Sequence, residues 1–167
     1  MDAGLLIGRA IVGLLMAAHG AQKLFGWFGG YGLTAVSGFF ESLGFRPGRF
    51  FALTASGTEI AAGLLLAFGL FGPVGPALML SVMIVAAVSA HWGSGVLGAN
   101  SMELTLVYSA AAIALAVTGP GVYSLDALFG IAPMWTPEAS WAALAIGVVG
   151  AAANLALRRT APQNVAA

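Results

Sequence analysis

Residues 50–92 have the sequence FFALTASGTEIAAGLLLAFGLFGPVGPALMLSVMIVAAVSAHW, and this stretch decides the fold of the chain. It contains two apolar runs, at 50–71 and 73–92, each long enough for the roughly 20 residues that cross a bilayer core as a helix. Gly72 and Pro73 separate the runs, because these residues favour a turn over continued helix. We therefore expect two antiparallel membrane helices joined by a tight hairpin.

Three further apolar stretches are long enough to cross a membrane, at residues 4–24, 101–119 and 139–157. Of the 167 residues, 60% are hydrophobic and 7% are charged, whereas a soluble domain carries roughly 25% charged residues. Such a chain cannot cover a surface that faces water. The sequence therefore predicts an all-α, polytopic bundle of five transmembrane helices in contact with the lipid bilayer.

A short amphipathic segment follows the first span. Apolar residues recur at helical spacing near 33–45, directly after Trp27, Phe28 and Tyr31. Aromatic rings of this kind suit the boundary between lipid headgroups and acyl chains. The pattern favours a short interfacial helix, and an ordinary loop packed on the bundle is the alternative.

Basic residues indicate the orientation of the chain. Those at the ends of the spans or beyond them all fall on one side of a five-span topology: Lys23, Arg46, Arg49, Arg158 and Arg159. Loop 120–138, on the other side, carries Asp126 and Glu138 and no basic residue. Because Lys and Arg are enriched in cytoplasmic loops, we predict an N-terminus outside and a C-terminus in the cytoplasm.

Composition and motifs exclude several classes of function. The formal net charge is zero, so no basic field attracts nucleic acid. The sequence has no cysteine for disulfides, iron–sulfur clusters or dithiol chemistry with quinones. The run GSGVLG at 93–98 matches a dinucleotide-binding pattern formally, but it follows a membrane helix and lacks the required strand. No self-sufficient catalytic motif is present, and the sequence leaves open whether the chain is an enzyme.

Ionisable side chains inside the spans need partners, since each costs roughly 2.5 to 3.5 kcal/mol at the centre of a membrane helix. Arg9 lies near the outer end of the first span, and Glu59 lies near the middle of the second. Their depths differ by about 7 Å at 1.5 Å per residue, which an arginine side chain can bridge. We expect an Arg9–Glu59 ion pair, which could serve only to hold two helices in register.

Further polar side chains reach a similar depth at the predicted cytoplasmic end. His19, Gln22 and Lys23 share one face of the first helix, because they are three and four residues apart. The third span ends there, and the fourth begins there. We predict a shared cavity lined by the following residues: His19, Gln22, Lys23, Glu59, His91, Asn100 and Glu103.

Such a cavity could bind a quinone, whose carbonyl oxygens need hydrogen-bond donors and whose reduction needs a proton source. The predicted headgroup ligands are His19, Gln22, Lys23 and Asn100. The predicted proton relay consists of His19, Glu59, His91 and Glu103. Two alternatives use the same residues: a divalent metal held by His19, His91, Glu59 and Glu103, or a haem iron held between the two histidines. We expect no covalent cofactor.

The same residues also have purely structural explanations. Lys23 could reach lipid phosphates, and His91 with Trp92 could anchor a helix end at the interface. Glu103 could complement the positive end of its helix. His19 could donate to a neighbouring carbonyl. In the fifth span, Gly147, Gly150 and the run 151–153 could form a dimer face, a docking face for another protein, or ordinary packing within the chain.

The run HGAQKLFGWFGGYG, residues 19–32, resembles the signature of the DoxX family of small bacterial membrane proteins. Glu59, His91 and the stretch GPGVYSLD at 119–126 agree with the family's layout. The resemblance extends over about 4–128 and implies a four-helix core at 1–128. It leaves 129–167 as an outer loop, a fifth transmembrane helix and a short cytoplasmic tail. The chain departs from the family at ANSME, residues 99–103, where many members have GGYE.

The resemblance implies a location in the bacterial inner membrane and a role in redox chemistry, since one related protein is a subunit of a thiosulfate to quinone oxidoreductase. The leading hypothesis is a quinone-interacting subunit or accessory protein of a bacterial respiratory complex, with a protein partner from that complex or a second copy bound through the fifth helix. The alternatives are a small-solute transporter or receptor-like protein, and a non-catalytic scaffold that anchors a larger enzyme.

Overall fold

The computed structural model describes residues 2–98 and 101–159. The α-helices in chain order are α1 (Asp2–Phe25), α2 (Gly32–Ser42), α3 (Gly48–Phe68), α4 (Val74–Ala90), α5 (Glu103–Thr118), α6 (Leu125–Leu128) and α7 (Pro137–Ala156). Two short 3-10 helices lie at Trp27–Gly29 and Ala132–Met134. No strand occurs in the part of the chain that the structure describes. The prediction of an all-α bundle with a short helix after the first span is confirmed.

The five long helices are all apolar, as membrane helices are, but they differ in length. α1, α3 and α7 are long and apolar enough to span a bilayer, and α4 and α5 are apolar but shorter. The shorter two measure about 25 Å at 1.5 Å per residue, against a bilayer core of about 30 Å. The outer face of α1 exposes Ile7, Ile11, Leu14 and Leu15, a continuous apolar stripe that suits lipid. The chain is thus a multi-pass membrane protein.

α1 packs closely on α3 because glycines remove side chains where the helices cross. A Cβ atom at Gly13 would lie 2.5 Å from the carbonyl oxygen of Gly63, and a Cβ atom at Gly20 would lie 2.6 Å from that of Ser56. Since 13 faces 63 and 20 faces 56, the two helices run antiparallel. A buried core joins this pair to the other helices, and it is formed by Met16, Ala62, Leu66, Met79, Leu80, Met83, Ala112, Ala116 and Leu144.

The two ends of the bundle are named here by the residues of α1 that mark them, the Arg9 end and the Lys23 end. The connections α3–α4 and α5–α7 lie at the Arg9 end. Asp126, before the start of α7, accepts hydrogen bonds there from the backbone N–H groups of Phe71 (2.8 Å) and Gly72 (2.6 Å). The loop between α5 and α7 is therefore tied to the α3–α4 turn.

The predicted basic side is a single end of the bundle. Arg46 and Arg49 precede and open α3 at the Lys23 end, where α7 also finishes. The backbone N–H of Arg159 donates to the carbonyl of Gly44 at 2.8 Å, and Arg158 donates through Nε to the carbonyl of Leu43 at 2.5 Å. These contacts fix the end of α7 beside the connection between α2 and α3. That this end faces the cytoplasm stays a prediction.

The small residues of α7 are used for packing inside the chain. A Cβ atom at Gly147 would lie 2.6 Å from the carbonyl oxygen of Ala77 in α4, and Ala151 is fully buried. α7 packs on both α4 and α5, so it is part of the same bundle as the preceding helices. The domain boundary at 128 and a homo-oligomer through this helix stay predictions, and an oligomer would have to use its outer face, where Trp141, Ile146 and Val149 are exposed.

Candidate functional site

A large cavity opens between the helices at the Lys23 end. Its volume is about 1360 Å³, and α1, α2, α3, α4, α5 and α7 all contribute to its walls. Six of the seven side chains expected to share a cavity line it: His19, Gln22, Lys23, Glu59, His91 and Glu103. The seventh, Asn100, lies outside the described residues. The bundle thus brings together polar groups from four helices that are far apart in the sequence.

Glu59 is the most deeply buried ionisable group of the cavity, with 2% of its surface exposed. Its Oε1 atom accepts a hydrogen bond from Lys23 Nζ at 2.5 Å, and this contact is also a salt bridge. Its Oε2 atom is buried and has no hydrogen-bond partner among residues 2–98 and 101–159. A buried acceptor without a donor costs about 1 to 3 kcal/mol. The cavity therefore contains an acceptor that a bound molecule with a hydrogen-bond donor can satisfy.

The expected Arg9–Glu59 ion pair does not form. Both terminal nitrogens of Arg9 donate to backbone carbonyls at the opposite end, those of Pro120 and Tyr123. The reason is the helix register: Gly20 packs between Ser56 and Ile60, which places Glu59 close to the level of His19 on α1. Arg9 is then about 15 Å away along the helix axis, twice the offset estimated from the span boundaries. Lys23, roughly one turn from the level of Glu59, takes the place of Arg9.

His19 lies on the same wall as this pair. It is half-buried one turn before Lys23, and the charges of Lys23 and Glu59 are its main electrostatic neighbours. An imidazole can donate from one ring nitrogen and accept at the other, so it can exchange a proton with a molecule in the cavity. His19, Lys23 and Glu59 form the central triad of the site.

Gln22 has a second task in the fold. Its Nε2 atom donates to the carbonyl of Phe28 at 3.1 Å, which closes the turn after α1. Gly30 packs against the same residue, since a Cβ atom there would lie 2.3 Å from the Gln22 carbonyl oxygen. The run at 19–32 therefore folds the chain back over the end of α1 and carries α2 to the cavity. The Gln22 side chain keeps one amide N–H and its amide oxygen for other partners.

His91 and Glu103 line the cavity at its exposed edge. His91 directly follows α4 and is partly exposed, whereas Glu103 opens α5 and is exposed. In the described part of the chain, no three His, Asp or Glu side chains are grouped so that they could hold one metal ion. The metal alternative thus gains no support from the arrangement of His19, His91, Glu59 and Glu103.

Tyr108 was not singled out from the sequence. It lies in α5, partly buried on the cavity wall, and Glu59 is its electrostatic neighbour. The only signal available was its phenol inside an otherwise apolar helix, four residues after Leu104 and therefore on the same face. Its hydroxyl group can donate or accept a hydrogen bond, so Tyr108 is a fourth polar group beside the triad.

Apolar side chains make up much of the remaining wall. They come mainly from α2, α3, α4 and α5: Phe39, Phe40, Phe51, Leu78, Val82, Leu104 and Val107. The cavity thus combines polar and titratable groups from several helices with a larger apolar surface. This combination suits a ligand with a polar headgroup and an apolar ring or tail.

The model of the DoxX family matches residues 4–92, more than half of the chain. The chain belongs to the DoxX family. The matched region covers α1 to α4 and therefore includes His19, Lys23, Glu59 and His91. The resemblance expected from the sequence extends to about residue 128, and the match ends at residue 92. Comparison with curated proteins and with solved structures gives no match.

Proposed function

We propose that this DoxX protein binds the headgroup of a quinone in the cavity at the Lys23 end, as a subunit or accessory protein of a bacterial membrane redox complex. The observation that carries the proposal is the buried Oε2 atom of Glu59, which lacks a donor among the described residues. The hydroxyl group of a reduced quinone is such a donor. The carbonyl oxygen of an oxidised quinone can instead accept from Lys23 or His19.

The shape and composition of the cavity support the same ligand class. Ligand pockets commonly measure about 300 to 1,000 Å³, so a cavity of about 1360 Å³ can hold a ring together with the first part of its tail. Phe39, Phe51 and Leu78 provide apolar surface for these groups. A small, strongly hydrated solute would leave this apolar surface in contact with water.

Proton transfer is the chemistry that the residues of this chain can perform. Oxidation of a quinol releases two protons and two electrons, and Glu59 and His19 are placed to accept protons from its hydroxyl groups. Lys23, His91 and Glu103 extend towards the cavity edge, where protons can reach water. The electrons require a redox centre in a partner protein, because the chain has no cysteine pair to accept them. We assign the Lys23 end to the cytoplasmic side of the inner membrane because the basic residues lie at this end.

The test is quinone binding by the purified protein in lipid nanodiscs. Bound quinone is measured by solvent extraction, and the affinity for a quinone analogue is measured by titration. We expect His19→Ala and Glu59→Gln each to weaken the binding of the quinone analogue by at least about tenfold. Each substitution removes a hydrogen bond to a charged or polar partner. Glu138→Gln is the matched control, because Glu138 is an exposed carboxylate at the Arg9 end.

Two results would contradict the proposal. One is a protein that neither retains quinone nor binds the analogue. The other is an analogue affinity that is the same in the unmodified protein, His19→Ala and Glu59→Gln.

A further inference from the structure

We infer that the ligand enters this cavity sideways from the bilayer, across Leu104 and Val107 of α5. The inference rests on the proposed function and adds the route by which a lipid-soluble ligand reaches Glu59. Leu104 and Val107 both line the cavity, yet 55% and 61% of their surfaces are exposed. A side chain that faces the cavity and the exterior at once lies on the rim of an opening.

The opening lies at the level where α1 and α5 both line the cavity. Met16 of α1 and Ala112 of α5 belong to the same buried core, which lies on the Arg9 side of the cavity. One turn further along α1, His19 lines the cavity, and one turn back along α5, Tyr108 does so. From this level to the Lys23 end, the cavity separates the two helices.

The rim has the chemistry of a passage for an amphiphile. Leu104 and Val107 lie in the first turns of an apolar helix, and we place these turns where headgroups meet acyl chains. Lys23, across the cavity, keeps 24% of its side chain exposed and can bind a headgroup oxygen as it passes. The apolar tail then rests on Leu104 and Val107 and leaves the cavity between them. A ligand without a tail gains nothing from this rim.

The absence of cysteine from the sequence permits a clean test, because a single introduced thiol can be labelled with a bulky reagent after the protein has folded. The variant is Val107→Cys, and the matched control is Val117→Cys, an exposed valine of the same helix that does not line the cavity. Association rates are measured in nanodiscs for a long-tailed quinone supplied in the lipid and for a tailless, water-soluble quinone.

We expect the label on Val107→Cys to slow association of the long-tailed quinone by about tenfold and to change that of the tailless quinone much less. The label on Val117→Cys should change neither rate. Equal slowing of both quinones, or no slowing of the long-tailed one, would overturn the lateral route while leaving quinone binding intact. If neither quinone binds the unlabelled protein, the proposed function is rejected together with the route.

Discussion

The two ends of the bundle each contain a buried carboxylate, and the two carboxylates differ in their hydrogen-bond partners. At the Arg9 end, Asp126 is fully buried and both of its carboxylate oxygens accept backbone hydrogen bonds. At the Lys23 end, Glu59 is almost as deeply buried, but only one of its oxygens has a partner among the described residues. The Asp126 carboxylate closes a turn, whereas the Glu59 carboxylate faces a cavity.

This difference shows how a structural charge can be told from a functional one inside a membrane protein. Burial alone does not distinguish them, because both acids are inaccessible to solvent. What differs is whether the hydrogen-bonding capacity of the group is used up by the fold. Arg9 follows this rule only in part: its terminal nitrogens donate to the backbone carbonyls of Pro120 and Tyr123, but its buried Nε atom has no partner among the described residues. Glu59 lines the large cavity at the Lys23 end, so its unused capacity is the feature to test.

The largest expected effect is on stability at the Arg9 end. In Asp126→Asn, an amide NH₂ group must face one of the two backbone N–H donors, of Phe71 or Gly72, and that donor loses its partner. We expect a loss of about 2 to 3 kcal/mol in the free energy of unfolding, measured by denaturant titration in detergent. The matched change Glu59→Gln should cost less than about 1 kcal/mol, because it keeps an acceptor for Lys23 and removes a buried charge. Equal losses in the two variants would abolish the distinction between the ends.

A smaller effect is expected from Lys23→Met, which leaves the Glu59 carboxylate without its cation. We expect a loss of about 1 to 2 kcal/mol, below that for a fully buried pair because Lys23 is partly exposed. The double variant with Glu59→Gln should recover most of it, and Arg49→Met, an exposed basic residue at the same end, is the control. A double variant no more stable than Lys23→Met alone would show that the two side chains are not coupled.

The smallest expected effect concerns Tyr108. Tyr108→Phe removes one hydroxyl from the cavity wall and leaves the ring in place, so the affinity for a quinone analogue should fall by about fivefold without a change in stability. Tyr123→Phe serves as the control, since its exposed ring lies at the Arg9 end. If Tyr108→Phe leaves the affinity unchanged, the Tyr108 hydroxyl does not contact the ligand. The polar contacts then come from the triad of His19, Lys23 and Glu59.

The parts of the site that could be predicted are those that depend on local spacing. His19 and Lys23 share a face because four residues make about one helical turn. The meeting of α1, α3, α4 and α5 at one end follows from alternating helix direction. The partner of Glu59 could not be obtained in this way, because the ends of a span are uncertain by several residues and each residue shifts the depth by 1.5 Å. Contacts at Gly20 and Gly63 set the register instead.

The sequence by itself determined that the chain forms apolar helices in a membrane, because hydrophobicity and backbone hydrogen bonding within a helix are local properties. It also determined that the basic residues other than Arg9 lie at one end. Only the tertiary structure decided that Arg9 and Asp126 bind backbone groups and that Lys23 reaches Glu59. Partner choice depends on how helices distant in sequence slide and tilt against one another, and side-chain packing at their contacts controls that geometry.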